Sequence, residues 1–283
     1  MSATSPAERL GLRSNENPLR PRAVLAKRYT IYTLAAAILG AMTYHIFFHT
    51  TDWSRFGGLA TILKETLRFV PDLTFLPQVV GPLFETLLMA FWGTFLAMFL
   101  ALPITWLAAR NITPFYAVTY PLGRAAMVLS RSVHELIFAL VFVAALGLGA
   151  FPGILALACR SVGFLSKTTA EAIENVDRGP IEAIEATGAN RLSVIMFGIV
   201  PQVFPVFVGN VIFQLDINLR RAAILGMVGA GGIGILFSDV MMSYRFDQAG
   251  TCVLGIFIMV TIGEYVSTWL RTRLVYGGAG HAE

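Results

Sequence analysis

The chain reads as an all-α polytopic membrane protein with about six transmembrane helices, and three observations predict it. First, 56% of its 283 residues are hydrophobic and only 13% are charged, more apolar surface than a soluble globule of this size can bury. Second, windows of about 20 nearly uncharged residues recur along it, the length a helix needs to cross roughly 30 Å of hydrocarbon. Third, lysine and arginine are distributed unevenly between the segments that join those windows.

Residues 1–28 are basic and Pro-containing and read as a cytoplasmic tail. Residues 29–48, "YTIYTLAAAILGAMTYHIFF", form a first span, longer than a signal-peptide core and expected to stay as an anchor. Residues 49–82 read as an external, periplasmic loop, in which Leu59, Ile62, Leu63, Leu67 and Val70 recur at helical spacing. That pattern fits either a helix lying on the membrane surface or a loop packed on the domain. The core, residues 83–272, opens with a second span over Thr86–Ala109. A third lies within Pro121–Leu148, a region longer than one crossing, so its first part is expected along the interface. A fourth starts near Phe151, a fifth covers about Val194–Ile217 and a sixth covers Gly250–Leu270. A polar segment over about 166–192 separates the fourth and fifth spans, and residues 273–283 form a second cytoplasmic tail.

With the N-terminus inside, thirteen lysines and arginines fall on inner segments, four on outer loops and four are ambiguous. The positive-inside bias therefore puts both termini and the 166–192 segment in the cytoplasm, and accounts for the pI near 9.3 without nucleic acid. Cys159 and Cys252 lie in apolar runs and offer neither a disulfide framework nor a zinc spacing. His45 and His49 are four apart at a span end with no third ligand nearby, which reads as interface anchoring; no metal site and no catalytic residue is expected. No GxxxxGK[ST] phosphate loop is present, so ATP hydrolysis is not expected of this chain.

The polar segment holds "DRGPIEAIEATGAN". Pro180 suits the first position of a helix, Glu182 its first turn, and Gly188 the left-handed residue that ends it. About two turns are not stable alone in water, so something must hold this helix. Ile181 and Ile184 share one face, and Ala183, Ala186 and Thr187 keep it slim. By its chemistry it is either a lever for a partner's groove or a well-capped connection.

Glu182, Ala183, Gly188 and Pro201 stand in an order that resembles the EAA loop of ABC-importer permeases: Glu-Ala-Ala, three residues, Gly, nine residues, Ile-x-Leu-Pro. Here Ile184 takes the place of the third Ala, Gly198 that of the Ile and Val200 that of the Leu. With "SRSVHELIFALVFVAALGLG" and "GMVGAGGIG", the region from about Leu83 to Leu270 is similar to phosphonate-importer permeases. The resemblance implies a type I, MetI-like core of five spans behind an N-terminal span, in the bacterial inner membrane. It further implies a homodimeric path for a phosphonate or related oxyanion, a periplasmic substrate-binding protein, and a cytoplasmic ATPase dimer that carries the ATP and Mg. Glu182, Ala183, Ile184, Glu185, Gly188 and Pro201 then correspond to the ATPase-coupling residues.

"GMVGAGGIG" contains a formal GxGxxG in Gly229, Gly231 and Gly234, with Gly232 between. A dinucleotide site needs a βαβ unit around it; between membrane segments the motif fits an interrupted helix beside a pore, or tight helix packing. The fifth span ends in costly polar groups. Asn210, Gln214 and Arg221 fall near one face with Asn218 beside them, as candidates for the substrate path. Asp216 and Arg220, acid first and four apart, are expected to neutralise each other, which leaves Arg221 without a local partner. Arg131 and Glu135 are placed to pair across one turn, and Glu264 has no evident partner unless Arg271 serves. An ion-gradient-driven secondary transporter is the alternative, but such folds show paired repeats, and none is evident here. An intramembrane enzyme would need a nucleophile motif or His-Glu-x-x-His, and neither occurs.

Overall fold

A computed structural model describes residues 22–51 and 58–276. Most of the basic N-terminal tail, Arg55 and residues 277–283 lie outside the described residues. All regular structure among them is helical.

The stretch before residue 65 forms one unit. It holds α1 (Arg22–Tyr44), a π-helical turn over His45–Thr50 and the start of α2 (Gly58–Thr66). His45 and His49 stack with ring centroids 5.6 Å apart. The 59–70 pattern does make a helix, extended by a 3-10 turn over Leu67–Phe69, with Leu63, Leu67 and Val70 left exposed.

The second unit, from Glu65 onward, is a bundle built around one buried helix. Its elements are α3 (Leu76–Ala108), α4 (Tyr116–Ser132), α5 (Glu135–Leu146), α6 (Ala150–Glu174), α7 (Arg178–Ala186), α8 (Arg191–Val194), α9 (Val200–Leu225), α10 (Ile233–Met242) and α11 (Phe246–Arg271). α6 packs against α3 in the most extensive helix pair of the fold, and against α4, α5 and α9. Small residues make that close approach possible, as membrane helices require. Ala97, Ala101, Ala158 and Leu165 are buried along the α3–α6 seam, and a Cβ on Gly93 would come within 2.8 Å of Leu157 Cβ. Ser166 Oγ donates to Ala101 O at 3.2 Å, adding a polar tie across the same seam.

Four stretches are long and apolar enough to cross a membrane: Lys27–Thr50, Ala60–Ala108, Arg191–Val228 and Phe246–Leu274. The pair α4 and α5 makes a fifth when taken as one broken span, bent by 88° between Ser132 and Glu135. That break explains why Pro121–Leu148 is longer than one crossing. α6, expected as the fourth span, does not join them on apolarity because it carries Arg160, Lys167, Glu171 and Glu174. Its 25 residues reach about 37 Å at 1.5 Å each, and enclosure by neighbours lets a helix keep polar groups that lipid would penalise. The second expected span begins ten residues earlier than Thr86, at Leu76. The fifth runs past Ile217 to Leu225 and on through a 3-10 turn to Val228, so Arg220 and Arg221 lie inside it.

The bundle has two distinct ends. At one, Gly149 N donates to Gly229 O at 3.1 Å, joining the loop before α6 to the glycine-rich segment. At the other, Glu174 joins the end of α3 to α4 beside α7. Its carboxylate accepts from Arg110 N at 3.0 Å and pairs with Arg124 Nη2 at 2.7 Å. Arg110 Nε donates to the Tyr120 hydroxyl at 3.0 Å, a hydrogen bond that raises the Arg110 pKa above its ordinary value.

Backbone sets the tightest packing. A Cβ on Gly234 would meet Ala223 O, Gly226 Cα and Met227 N, none of which is a side chain that can move aside. Gly234→Ala should therefore destabilise the detergent-solubilised chain by about 1–3 kcal/mol, seen as a lower thermal midpoint. Gly40→Ala, with nothing within 4 Å of the added carbon, should leave that midpoint unchanged or slightly raised.

Candidate functional site

α7 is held at both ends by its own loop. Asp177 caps it, its Oδ1 accepting from Gly179 N at 3.1 Å. The helix therefore starts at Arg178 and Pro180 is its third residue rather than its first. The N–H that proline lacks is still one of the unpaired donors of the first turn, so the residue fits for the expected reason, displaced by two positions. Gly188 closes the helix in the left-handed region, at φ 77°, and its N–H donates to Glu185 O at 2.9 Å. Asn190 then caps α8 through Ser193 N at 2.8 Å.

What holds this short helix is the chain itself. Ile181 and Ile184 face Gly198, where an added Cβ would lie 3.3 Å from Ile181 Cγ1 and 3.4 Å from Ile184 Cδ1. The two main departures from the EAA pattern thus meet in space: a larger residue at 184 occupies room left by a smaller one at 198. Gln202 fastens the other side. Its Oε1 accepts from Asp177 N at 3.0 Å, and its Nε2 donates to Asp177 O at 3.2 Å and Gly198 O at 2.7 Å. Gly198 lies in a π-helical turn over Ile195–Ile199, followed at once by Pro201 in the first turn of α9. A proline there donates no N–H back to that turn, which accommodates the shifted ladder. Glu182, Ala183, Glu185 and Ala186 remain exposed. A cleft of about 580 Å³ beside the helix is lined by Asn111, Glu174, Arg178, Glu182, Glu185 and Arg191, among others. Gln202 carried no sequence signal beyond its place after Pro201.

The polar residues of α9 divide into three sets. Gln214 and Asn218 are buried within the chain: Asn218 Nδ2 donates to Thr94 Oγ1 and to Ser161 Oγ, both at 2.9 Å, and Gln214 Nε2 donates to Ser161 Oγ at 2.9 Å. This cluster joins α3, α6 and α9. Asn210 is half-buried one turn from Gln214. Asp216 pairs with Arg220 at 2.9 Å as expected, and Arg220 also reaches Glu264 of α11 at 3.7 Å. Glu264 thus pairs with Arg220, not with Arg271.

Arg221 is not without a partner. Its Nε lies 3.1 Å from Glu135 Oε1, and Arg160 Nε lies 3.7 Å from Glu135 Oε2. Glu135 in turn does not pair with Arg131. The 88° break falls between them and destroys the one-turn relation on which that expectation rested. Arg131 instead runs past α6, where a Cβ on Gly163 would come within 2.8 Å of its Cγ, and it makes no ion pair among the described residues.

The glycine segment interrupts the helix between α9 and α10. Gly229, Gly231 and Gly232 take φ of 88°, 90° and 68°, values that disfavour side chains. Thr86 Oγ1 accepts from Ile233 N at 2.8 Å and so caps the restart of the helix at α10. No strand precedes the segment among the described residues, so it has no dinucleotide-binding context.

Residues 54–275 match the family described as the binding-protein-dependent transport system inner membrane component. The chain is 34% identical over 249 residues to a putative phosphite transport system permease protein, HtxC, of Stutzerimonas stutzeri, covering 87% of this chain and 88% of that one. It is 42% identical over 191 residues to the phosphate-import permease protein PhnE of Mycolicibacterium smegmatis, covering 68% of this chain but 36% of that longer protein. Among solved structures, one of the MetNI methionine ABC transporter matches the fold with a TM-score of 0.63 at 22% identity, over 72% of this chain and 99% of that one.

The contact between residues 184 and 198 is testable by exchanging volumes. Gly198→Ile should unseat α7 and speed amide hydrogen exchange across residues 178–186 by about tenfold, the equivalent of about 1.4 kcal/mol. Adding Ile184→Ala should restore protection; no change in the single variant, or no rescue in the double, contradicts the packing.

Proposed function

This chain belongs to the binding-protein-dependent transport system inner membrane component family, and on that premise we propose that two copies form the path by which a phosphorus oxyanion is imported across the bacterial inner membrane. The chain is the permease; ATP hydrolysis belongs to a separate subunit. The names of its relatives, phosphite and phosphate permeases, support a phosphonate, phosphite or related phosphorus oxyanion as cargo.

The observation that carries this reading is α7. It is capped at both ends, fixed to the bundle by Ile181, Ile184 and Gln202, and exposed along Glu182, Ala183 and Ala186. A short helix so anchored transmits force applied to its outer face instead of absorbing it. We assign that face to the groove of a cytoplasmic ATPase dimer, with the positive-inside bias placing the α7 end in the cytoplasm. A periplasmic binding protein delivers the anion at the glycine-rich end. ATP binding stabilises the outward-open state and hydrolysis resets it, which requires the ATPase dimer to favour one state over the other by a differential affinity.

Charge supports the second copy. Glu264 lies ten residues, about 15 Å, from the nearer end of the Phe246–Leu274 span, yet its side chain is 66% exposed in the single chain. Its one ion pair, to Arg220 at 3.7 Å, leaves most of the carboxylate open; lipid does not solvate such a group at that depth, whereas a facing protomer does.

Gly188→Val forces a β-branched residue into the left-handed region and should distort the end of α7. In vesicles holding the permease, its ATPase and its binding protein, ATP-driven uptake of methylphosphonate should fall at least about tenfold, with the complex still assembled. Glu182→Lys, which leaves the backbone untouched, should also lower uptake. Full uptake by both variants, or uptake by wild type without ATP, overturns the proposal.

A further inference from the structure

We infer that Arg160 and Arg221, bridged by Glu135, form an oxyanion-binding station inside the permease, in which the carboxylate holds the arginines until the transported anion takes its place. The inference rests on the import of a phosphorus oxyanion proposed above and adds the site through which it passes.

Three helices bring these groups together at one depth. Counting at 1.5 Å per residue, Glu135 lies about 18 Å from Gly147, Arg160 about 16 Å from Gly149 and Arg221 about 12 Å from Gly229. Those three glycines mark the same end of the bundle, where Gly149 bonds Gly229. The cluster therefore sits near mid-span, where an unmatched charge is most costly.

The charges there do not balance. Two guanidiniums share one carboxylate, and the Arg131 stem passes Gly163, one turn of α6 from Arg160, with no acidic partner among the described residues. His134 Nδ1 lies 3.8 Å from Glu135 Oε2 and adds no negative charge. A cluster serving structure alone would match its charges, because a surplus at this depth is costly. This one keeps a surplus of positive charge, which an entering anion neutralises.

The geometry leaves the arginines able to bind. Both approach Glu135 through Nε. Their terminal nitrogens make no hydrogen bond among the described residues and are not sealed from solvent, and the side chains remain 23% and 25% exposed. Terminal guanidinium nitrogens are the fork that takes a phosphorus oxyanion in two parallel bonds. Glu135 begins α5 immediately after the break, so its carboxylate can withdraw by rotation of its own side chain without moving α6 or α9. Gln214 and Asn218 are already engaged with Ser161 and Thr94, which leaves the arginines as the strongest donors at this level.

The test is binding of methylphosphonate to the full chain in its complex with the ATPase, followed by phosphorus NMR line broadening, alongside ATP-driven uptake in vesicles. Glu135→Gln removes the competing carboxylate and should tighten binding about tenfold, the worth of one charged hydrogen bond, while slowing release and uptake. Arg221→Gln and Arg160→Gln should each weaken binding about tenfold or more. The double variant Glu135→Gln/Arg221→Gln removes a charge of each sign, so it should assemble normally yet fail to recover tight binding. If Glu135→Gln weakens binding as the arginine variants do, or if the double variant binds as tightly as Glu135→Gln alone, the cluster is structural and the inference fails. ATP dependence of wild-type uptake reads out separately: its loss overturns the import reading, whereas its persistence with unaltered binding in Arg160→Gln and Arg221→Gln overturns only the station.

Discussion

A charge carried to membrane depth must meet an opposite charge, a hydrogen-bonding neighbour or water, and most of this bundle is arranged around that constraint. Glu135 is the point where it bears hardest. One carboxylate at the start of α5 reaches a guanidinium on α6 and another on α9, so a single side chain ties together three helices that are distant in sequence. One turn along α9, Asn218 joins α3 to α6 by hydrogen bonds to Thr94 and Ser161. Two neighbouring sets of polar contacts thus tie four helices together, and α6 and α9 take part in both. That location explains how α6 keeps Arg160 at this depth: a carboxylate of α5, not lipid, meets its charge.

The same economy governs the α7 end. A helix of nine residues has little stability of its own, and the chain supplies what is missing through two isoleucines, one glutamine and a capping aspartate. The apolar contacts are directed inward, and the small and acidic residues outward. Rigid seating and an exposed face are complementary properties: the first allows motion of the face to reach α9 through Gly198 and Gln202, and the second lets another protein grip it. α9 then runs from this seat to Arg221 without leaving the helix, so the lever and the charged cluster share one element.

Much of this was legible in the sequence. Apolar windows located most spans, the glycine at 188 marked the end of α7, and the acid-first spacing of Asp216 and Arg220 identified an ion pair that forms. These signals are local, and helix geometry fixes them over one or two turns. What was not legible depends on three-dimensional neighbours. The Arg131–Glu135 pairing failed because the helix breaks between them, and no proline or glycine stands at 132–134 to announce the break. Arg221 looked unpaired because its partner lies 86 positions earlier in the chain. Ile184 and Gly198 each looked like a mild departure from a pattern; only their contact shows that one compensates for the other. Gln202 makes three hydrogen bonds to the α7 seat, yet nothing in its sequence context distinguished it from an ordinary polar residue at a helix start.

Because the shared carboxylate is the interaction on which the bundle's interior depends, its energetic coupling is the most direct measure of the account. A double-mutant cycle on thermal unfolding of the purified chain, using Glu135→Gln, Arg221→Gln and the pair together, isolates that coupling. The account predicts a coupling energy above about 1 kcal/mol, with the double variant more stable than the sum of the single losses implies. Losses that simply add would show that Glu135 and Arg221 do not support each other, and would contradict it.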